Sequence, residues 1–269
     1  MKKRVYLVLL SSLAMCLGVM AHEFWIAPGK TKVKVGEKVS LQLLVGENFT
    51  GERWQGNGDR VIRYKHFGQR GVVDLLNSIP KNTVVDLLDF TPTYPGTHML
   101  VLETNNNFIE LEPDKFEAYL KEDGLTEALK YREEHGEQQE NGKEFYRRCA
   151  KLLIQAGDLA DETSKSPTRI ALDIIPQENP FELKKGKPLS FKVYYEEKPL
   201  SKAMVKCWFI KNGVTSVDVQ STGNNGVVSF EPKGDGRYMI SVVHMVRLKH
   251  DPEANWQSTW GSLVFGMNE

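Results

Sequence analysis

The sequence is poor in cysteine and, beyond its first twenty residues, in long apolar segments. It contains three cysteines, Cys16, Cys149 and Cys207, and no CxxC pair. Zinc ribbons and thiol redox centres need such pairs, so both kinds of site are excluded. No later apolar segment approaches the ~20 residues that a membrane-spanning helix requires. We therefore expect the mature chain not to be embedded in a membrane.

The sequence also lacks an excess of charge of either sign. Its 35 basic residues balance 35 acidic ones. Domains that bind nucleic acid usually carry a marked positive charge, so no nucleic-acid partner is expected. Neither a GxSxG segment nor a glycine-rich phosphate loop occurs. The sequence therefore has no signature of a nucleophile elbow or of a phosphate-binding loop.

What the sequence does contain, at its start, is the pattern of a secretory signal peptide over residues 1–21. The basic residues Lys2, Lys3 and Arg4 precede an apolar run, and the small residue Ala21 follows that run. Such a leader is cleaved after its last small residue. We expect cleavage between Ala21 and His22, export to the periplasm, and His22 as the first residue of the mature chain.

Cleavage leaves only Cys149 and Cys207, which lie in different predicted elements. In an oxidising compartment two cysteines can pair, but the distance between them does not follow from sequence. Two readings stay open: a disulfide, or two separate buried thiols.

Residues 22–112 predict a β-sandwich domain. The segment "TKVKVGEKVSLQLLVG" alternates apolar and polar residues on both sides of Gly36 and Glu37, which is typical of a half-buried hairpin. Further predicted strands are "RVIRYKHF", "NTVVDLLDF" and "GTHMLVLET", separated by glycine, asparagine and proline.

The pattern changes at Glu112 and predicts a helical insertion over 113–160. Apolar residues recur at helical spacing, first around Phe116 and Tyr119, and again after a break at Gly124. A further helix is predicted on "EFYRRCAKLLIQAG", where the residues that share one face are Phe145, Tyr146, Cys149, Leu152 and Leu153.

After a polar linker over 161–167, residues 168–269 predict a second β-sandwich. Short strands follow one another at intervals of roughly 8–12 residues with turn signals between them, which is typical of an immunoglobulin-like fold. The predicted fold class is therefore mainly β, with two immunoglobulin-like β-sandwich domains and a helical insertion between them.

Cleavage before His22 would create a metal chelator. A free α-amine and the imidazole Nδ1 of the same residue can close a ring on one ion, and both groups release their protons around neutral pH. Nitrogen donors of this kind favour Cu(II), Ni(II) or Co(II). The related peptide motif that uses a third-position histidine is excluded, because Phe24 occupies that position.

His244 and His98 are the predicted partners of His22 in a metal site. In "RYMISVVHMV" the two-residue period places His244 on one face with Ile240 and Val242, and His98 lies in the apolar run "GTHMLVLET". An imidazole in such surroundings needs a hydrogen-bond partner or a metal ion. For both residues the alternative is an ordinary, hydrogen-bonded core histidine.

The other histidines and the tryptophans give weaker indications of a site. His66 and His135 are predicted at the surface, and His250 with Asp251 in a solvated loop. The five tryptophans allow a sugar-stacking platform, although tryptophans on strands usually pack in a core; they are Trp25, Trp54, Trp208, Trp256 and Trp260.

Several segments together resemble a bacterial family with a domain of unknown function. These segments are "AHEFWIAPGKTKVKVGEKVSLQLLVGENFTGE", "GTHMLVLETNNNFIELEPDKFEAYLKEDGL", "EFYRRCAKLLIQAG", "YMISVVHM" and "NWQSTWGSLVF". The resemblance spans the whole mature chain. Members of the family are often labelled periplasmic components of cobalt or nickel uptake systems, and His22, His98 and His244 stand at matching motif positions. Cys149 stands where an aromatic residue is expected, so any disulfide would be particular to this chain.

The predicted function is the binding of nickel, cobalt or copper through the mature terminal His22, for metal uptake or buffering, with a membrane transporter as a possible partner. One alternative is a copper oxidoreductase with a histidine brace, acting on polysaccharides. The other is a non-catalytic module for adhesion or glycan binding.

Overall fold

The structure is a computed structural model that describes residues 22–184 and 186–267. The predicted signal peptide over 1–21 lies outside the described residues. Strands make up 51% of these described residues and helices 13%. The prediction of a mainly β chain is confirmed. No helix among residues 22–184 and 186–267 has the length and the apolar character to cross a membrane.

The described residues form two α-helices, between the ninth and the tenth strand. They are α1 (Pro113–Glu122) and α2 (Thr126–Glu134). The strands before them are β1 (Glu23–Pro28), β2 (Lys32–Val33), β3 (Val39–Glu47), β4 (Thr50–Arg53), β5 (Val61–Gly68), β6 (Gly71–Asp74), β7 (Leu87–Phe90), β8 (Gly96–Thr104) and β9 (Asn107–Leu111). The strands after them are β10 (Gly142–Ala156), β11 (Leu172–Pro176), β12 (Leu189–Tyr195), β13 (Lys198–Pro199), β14 (Met204–Lys211), β15 (Val214–Ser221), β16 (Val227–Phe230), β17 (Gly236–Arg247) and β18 (Trp256–Met267).

These strands form three sheets over the described part of the chain. The largest, the central sheet, has ten strands in the order β15-β14-β17-β18-β10-β8-β5-β6, with β2 and β9 also paired to β10. The N-terminal sheet consists of β1, β3, β4 and β7, and the C-terminal sheet of β11, β12, β13 and β16. At the middle of the central sheet β10 runs parallel to β18.

The two smaller sheets cover opposite faces of the central sheet. On β8, Leu100 and Leu102 pack with residues of the N-terminal sheet, whereas Met99 and Val101 pack with residues of the C-terminal sheet. Successive side chains of a strand point to opposite faces, so each alternate set meets a different sheet. The two predicted sandwiches therefore share one layer, and every residue of β8 is buried.

Both helices pack on the central sheet, on the same face as the N-terminal sheet. Phe116, Tyr119 and Leu120 of α1 pack against Trp256 and Trp260 of β18. α1 begins at Pro113, whose missing N–H is not needed in the first turn. The break predicted at Gly124 is confirmed, because this residue has a φ of +64° between the two helices.

The helix predicted on "EFYRRCAKLLIQAG" is wrong. This segment is β10, a strand of 15 residues that pairs with both β18 and β8. From Cys149 to Ala156 every residue is buried, because both faces of the strand are covered. A strand that is covered on both faces is mostly apolar on both, so it loses the two-residue alternation by which strands are recognised. The helical part of the predicted insertion over 113–160 is limited to α1 and α2.

The hairpin predicted across Gly36 and Glu37 is also wrong in its pairing. The chain does turn there, with the Glu37 N–H donating to the Lys34 carbonyl at 3.1 Å. However, β2 pairs with the end of β10, while β3 pairs with β1, β4 and β7. The turn therefore carries the chain from the central sheet to the N-terminal sheet.

Both cysteines of the described residues are free, buried thiols. Cys149 on β10 and Cys207 on β14 both face the C-terminal sheet, in strands that are separated by β18 and β17. Of the two readings of the sequence, the one with separate buried thiols is confirmed.

Candidate functional site

His22 lies immediately before β1, at the end of the N-terminal sheet. β1 pairs antiparallel with β3, and its first registered pair is Glu23 with Gly46. This register brings His22 to Glu47, whose Oε1 lies 3.0 Å from the imidazole Nδ1. Both side chains are about one-third exposed, at 33% and 39%. The pairing across β1 and β3 thus gives His22 a carboxylate neighbour that the sequence analysis missed.

The Nδ1 atom of His22 is the feature of this site that fits a metal ion. The atom is shielded from solvent, and although Glu47 is close, the geometry of a hydrogen bond is not met. Two ligands at right angles on one ion, as in square-planar or octahedral sites, each bonded at about 2.1 Å, lie about 3 Å apart. Nδ1 of His22 and Oε1 of Glu47 have this separation.

His98 is fully buried on β8 of the central sheet and has a different set of neighbours. Its Nε2 lies 3.0 Å from the Tyr94 carbonyl, so Nε2 must carry the proton. Its Nδ1 then accepts a hydrogen bond from Nε2 of His66 at 2.8 Å. Both ring nitrogens of His98 are therefore occupied. Burial lowers the pKa of His98, which keeps the ring neutral.

The prediction that His66 lies at the surface is wrong. His66 is buried on β5, which lies between β8 and β6 in the central sheet. Its ring packs 5.0 Å from that of Phe90 on the N-terminal sheet. Burial, with a smaller contribution from His98, lowers the pKa of His66 to about 4. The signal was present in the sequence, because the two-residue period places His66 on the same strand face as Tyr64.

His244 lies on β17 and faces the C-terminal sheet. The two-residue period places it with Ile240 and Val242, which pack on that side. Its ring contacts Tyr195 of β12 edge-on, with 4.3 Å between the ring centroids. Burial lowers the pKa of His244, and the charge of Glu196 opposes the shift.

The three predicted metal ligands therefore have separate surroundings. His22 precedes β1, which packs on one face of the central sheet, and His244 lies on the other face. No group of three or more His, Cys, Asp or Glu side chains arranged to hold a metal ion occurs among residues 22–184 and 186–267. A site at His22 would thus depend on its α-nitrogen as a third donor beside Nδ1 and Glu47.

A cavity of about 940 Å³ opens beside His22. Its wall includes Trp54, Tyr146, Arg60 and Arg148 as well as His22 and Glu47. This wall combines aromatic rings, two arginines and the His22–Glu47 pair. The site is therefore large enough for a small molecule and carries groups of both charges.

A buried cluster of charges lies on the other side of β1. Glu23 is 7% exposed, and its Oε1 lies 3.4 Å from the Ser241 hydroxyl and 4.0 Å from the Lys206 ammonium. Lys206 also pairs with Asp123 at the end of α1, at 2.7 Å. Burial raises the pKa of Glu23 to about 7, although Lys206 opposes the shift. The cluster ties β1 to β14 and to the helices next to His22.

The tryptophans and the His250–Asp251 pair, which the sequence analysis also considered, lie in the core and in an exposed loop, respectively. All five tryptophans are buried in the hydrophobic clusters, and His250 and Asp251 are exposed in the loop before β18. Trp54 alone among the tryptophans lines the cavity at His22. The described tryptophans therefore act mainly as core residues.

Comparison with solved structures shows only remote likeness. The D0–D1 domain of intimin is 12% identical, with 90% of this chain and 97% of that chain covered and a TM-score of 0.21. The three N-terminal domains of the bacteriophage RB49 outer capsid protein Hoc are 11% identical, with 90% and 59% covered and a TM-score of 0.19. Scores this low add nothing to the architecture described above. No curated protein matches the chain.

A family model matches most of the chain, over residues 19–246. The match includes the N-terminal sheet, the two helices and the central sheet as far as β17. Its description states no function and makes no mention of nickel or cobalt transport. The chain belongs to the family described as domain of unknown function DUF4198.

Proposed function

We propose that the processed protein binds a divalent transition metal ion, nickel, cobalt or copper, at its amino terminus. The donors would be the α-amine and Nδ1 of His22, together with a carboxylate oxygen of Glu47. The observation that best supports this proposal is the buried Nδ1 of His22, which has no hydrogen bond and lies 3.0 Å from Oε1 of Glu47. Amine and imidazole nitrogens with one carboxylate oxygen suit these ions.

The proposal differs from the sequence prediction in the partner of His22. Both ring nitrogens of His98 are engaged by Tyr94 and His66, and His244 packs on Tyr195 on the far face of the central sheet. Glu47 is the neighbour that the strand register supplies. The described contacts of His22 therefore favour a metal site whose side-chain ligands are one histidine and one carboxylate.

The protein would act in the periplasm as a metal carrier. His22 lies at the rim of an open cavity and its side chain is one-third exposed, so an ion could enter and leave without unfolding of the core. A three-donor site also leaves coordination positions for a second protein or a small ligand. We propose delivery to a membrane uptake system, or buffering, as the purpose of this binding.

The decisive experiment compares the processed protein with a form that carries one additional residue before His22. Extension converts the α-amine to an amide, which cannot bind as a neutral donor at pH 7. In calorimetric titrations with copper, nickel and cobalt, we expect at least tenfold weaker binding by the extended form. Mass spectrometry of both forms verifies the terminal residue.

The matched variants are Glu47→Gln and Glu52→Gln. Both glutamates line the same cavity, but only Glu47 approaches His22. We expect Glu47→Gln to weaken metal binding by about tenfold, which corresponds to one lost ligand, and Glu52→Gln to have little effect. Equal affinities of the processed and extended forms would contradict the proposal.

A further inference from the structure

Arg148 is an arginine of β10 that lines the cavity beside His22. Its Nε is shielded from solvent and makes no hydrogen bond. Within residues 22–184 and 186–267 it forms no ion pair: burial, Tyr146 and Arg60 are the influences on its pKa, and no carboxylate is among them. A buried polar group without a partner is rare in folded proteins and calls for a specific reason.

Two aromatic rings hold the Arg148 guanidinium in place. Its Cζ lies 5.4 Å from the ring centroid of Phe24 and 5.0 Å from that of Tyr146. Aromatic faces attract a cation but supply no hydrogen-bond acceptor in the guanidinium plane. The arrangement therefore fixes the orientation of the group while its N–H donors stay available to a ligand.

A second arginine adds positive charge to the same wall. Arg60 lines the cavity, and its charge contributes to lowering the pKa of Arg148. Burial is the larger cause, Tyr146 opposes it, and the pKa of Arg148 falls to about 10. Arg148 is still charged at neutral pH. Two like charges at one wall repel each other, so an anion between them would be attracted by both.

The rest of the wall suits an organic molecule. The cavity volume of about 940 Å³ is within the range of small-molecule sites. Trp54 offers an apolar ring. Asn107 donates a hydrogen bond to the Tyr146 hydroxyl oxygen at 2.5 Å, which leaves the Tyr146 hydroxyl hydrogen free to donate to a ligand.

We propose that this cavity binds a small organic acid, with its carboxylate at Arg148 and Arg60 and its carbon skeleton against Trp54 and Tyr146. The planar guanidinium matches the two oxygens of a carboxylate. The adjoining rings favour a carbon skeleton over a bare inorganic anion. This site is independent of the metal proposal, because none of its contacts uses the His22 amine.

The test is a calorimetric titration of metal-free processed protein with benzoate, citrate and inorganic phosphate. We expect saturable binding of benzoate or citrate at one site, and weaker binding of phosphate. Arg148→Gln and Arg60→Gln should each weaken carboxylate binding by about tenfold or more. Because no metal is present, the result does not depend on whether His22 binds an ion.

The matched control is Arg70→Gln. Arg70 also stacks on a tyrosine ring, 4.4 Å from the centroid of Tyr94, but it does not line this cavity. We expect this variant to bind carboxylate as the parent protein does. If Arg148→Gln lowers the thermal midpoint, Arg60→Gln, at a residue that is only partly buried, provides the second measurement.

Three results would overturn the proposal. The first is that neither carboxylate binds saturably at millimolar concentration. The second is that phosphate binds as tightly as the organic acids, which would show that the aromatic rings do not contribute to binding. The third is equal weakening by Arg70→Gln and Arg148→Gln, which would indicate non-specific loss of positive charge.

Discussion

Glu144 is a carboxyl group in surroundings that are unfavourable for a charge. It is 1% exposed, on β10. The Ser258 hydroxyl donates a hydrogen bond to its Oε1, as does the Tyr119 hydroxyl at 3.3 Å, while its Oε2 has no partner. Burial raises the pKa of Glu144 to about 8, and the two hydrogen bonds oppose the shift. At neutral pH the folded protein therefore holds this group largely protonated.

This protonation makes stability depend on pH in a definite direction. The pKa of Glu144 in the unfolded chain is near its ordinary value of 4.5. Below that value both states are protonated. Between 4.5 and about 8 the unfolded chain releases the proton and the folded chain retains it, so the free energy of unfolding falls as the pH rises. The effect of the raised Glu23 pKa, to about 7, has the same sign.

We predict that Glu144→Gln flattens this pH dependence. Glutamine resembles the protonated acid and cannot ionise, so the variant should gain stability over the parent protein between pH 5 and pH 8. The gain should be on the order of 2 kcal/mol. Urea unfolding at a series of pH values measures it.

The control for this series is Glu112→Gln. The Glu112 carboxyl is exposed, and a hydrogen bond from Lys115 lowers its pKa. Solvent screens this pair, so the substitution should change the pH profile little. Parallel profiles for Glu144→Gln and the parent protein would show that folding does not raise the pKa of Glu144, and would contradict the prediction.

At the scale of elements, strands with clear turn signals at both ends were predictable, even within the central sheet, and the long central strand β10 was not. "RVIRYKHF" and "GTHMLVLET" correspond to β5 and β8, because their bounding turn residues and β-branched content indicate strands. β10 was predicted as a helix because Phe145, Cys149 and Leu152 also fit a helical period. Its true environment depends on two sheets that are distant in sequence, and local spacing contains no information about them.

The candidate site, too, could be predicted only in part from local sequence patterns. The sequence pointed to His22, but Glu47 reaches it only through the pairing of β1 with β3, and Arg148 through the packing of β1 on β10. His66 could have been placed in the core from its alternation with Tyr64. Cross-strand register and sheet packing are long-range properties, and for these the structure was needed.

The contact between α1 and the start of β10 allows a prediction of how α1 contributes to stability. A Cβ added at Gly142 would collide with the ring of Phe116, a fully buried residue of α1. We predict that Gly142→Ala displaces α1 from the sheet and lowers the free energy of unfolding by about 1–3 kcal/mol. The urea midpoint measures this.

Gly29→Ala is the matched control, because no heavy atom lies within 4 Å of a Cβ at that position. It should leave the urea midpoint close to that of the parent protein. Equal effects of the two substitutions would indicate that loss of glycine flexibility, rather than the contact with Phe116, determines the outcome.

At the scale of the whole molecule, the shared central sheet joins the two sandwiches. β10 contributes Leu152 to the core under the N-terminal sheet and Leu153 to the core under the C-terminal sheet. Lys151, the residue before them, is fully buried and pairs with Asp173 of β11 at 2.7 Å. A buried ion pair of this kind is costly to break, so it resists separation of the C-terminal sheet.

We predict that the protein unfolds in one cooperative transition and that damage to either core shifts the same transition. Leu43→Ala removes a fully buried side chain under the N-terminal sheet, and Ile174→Ala a buried one under the C-terminal sheet. Each should cost about 2–5 kcal/mol and lower a single calorimetric midpoint. With independent sandwiches the parent protein would show two transitions, and each variant would shift a different one.

Hydrogen exchange provides a second measurement of this cooperativity. Amides of β3 and β12 should open with the same free energy in the parent protein, and they should lose protection together in both variants.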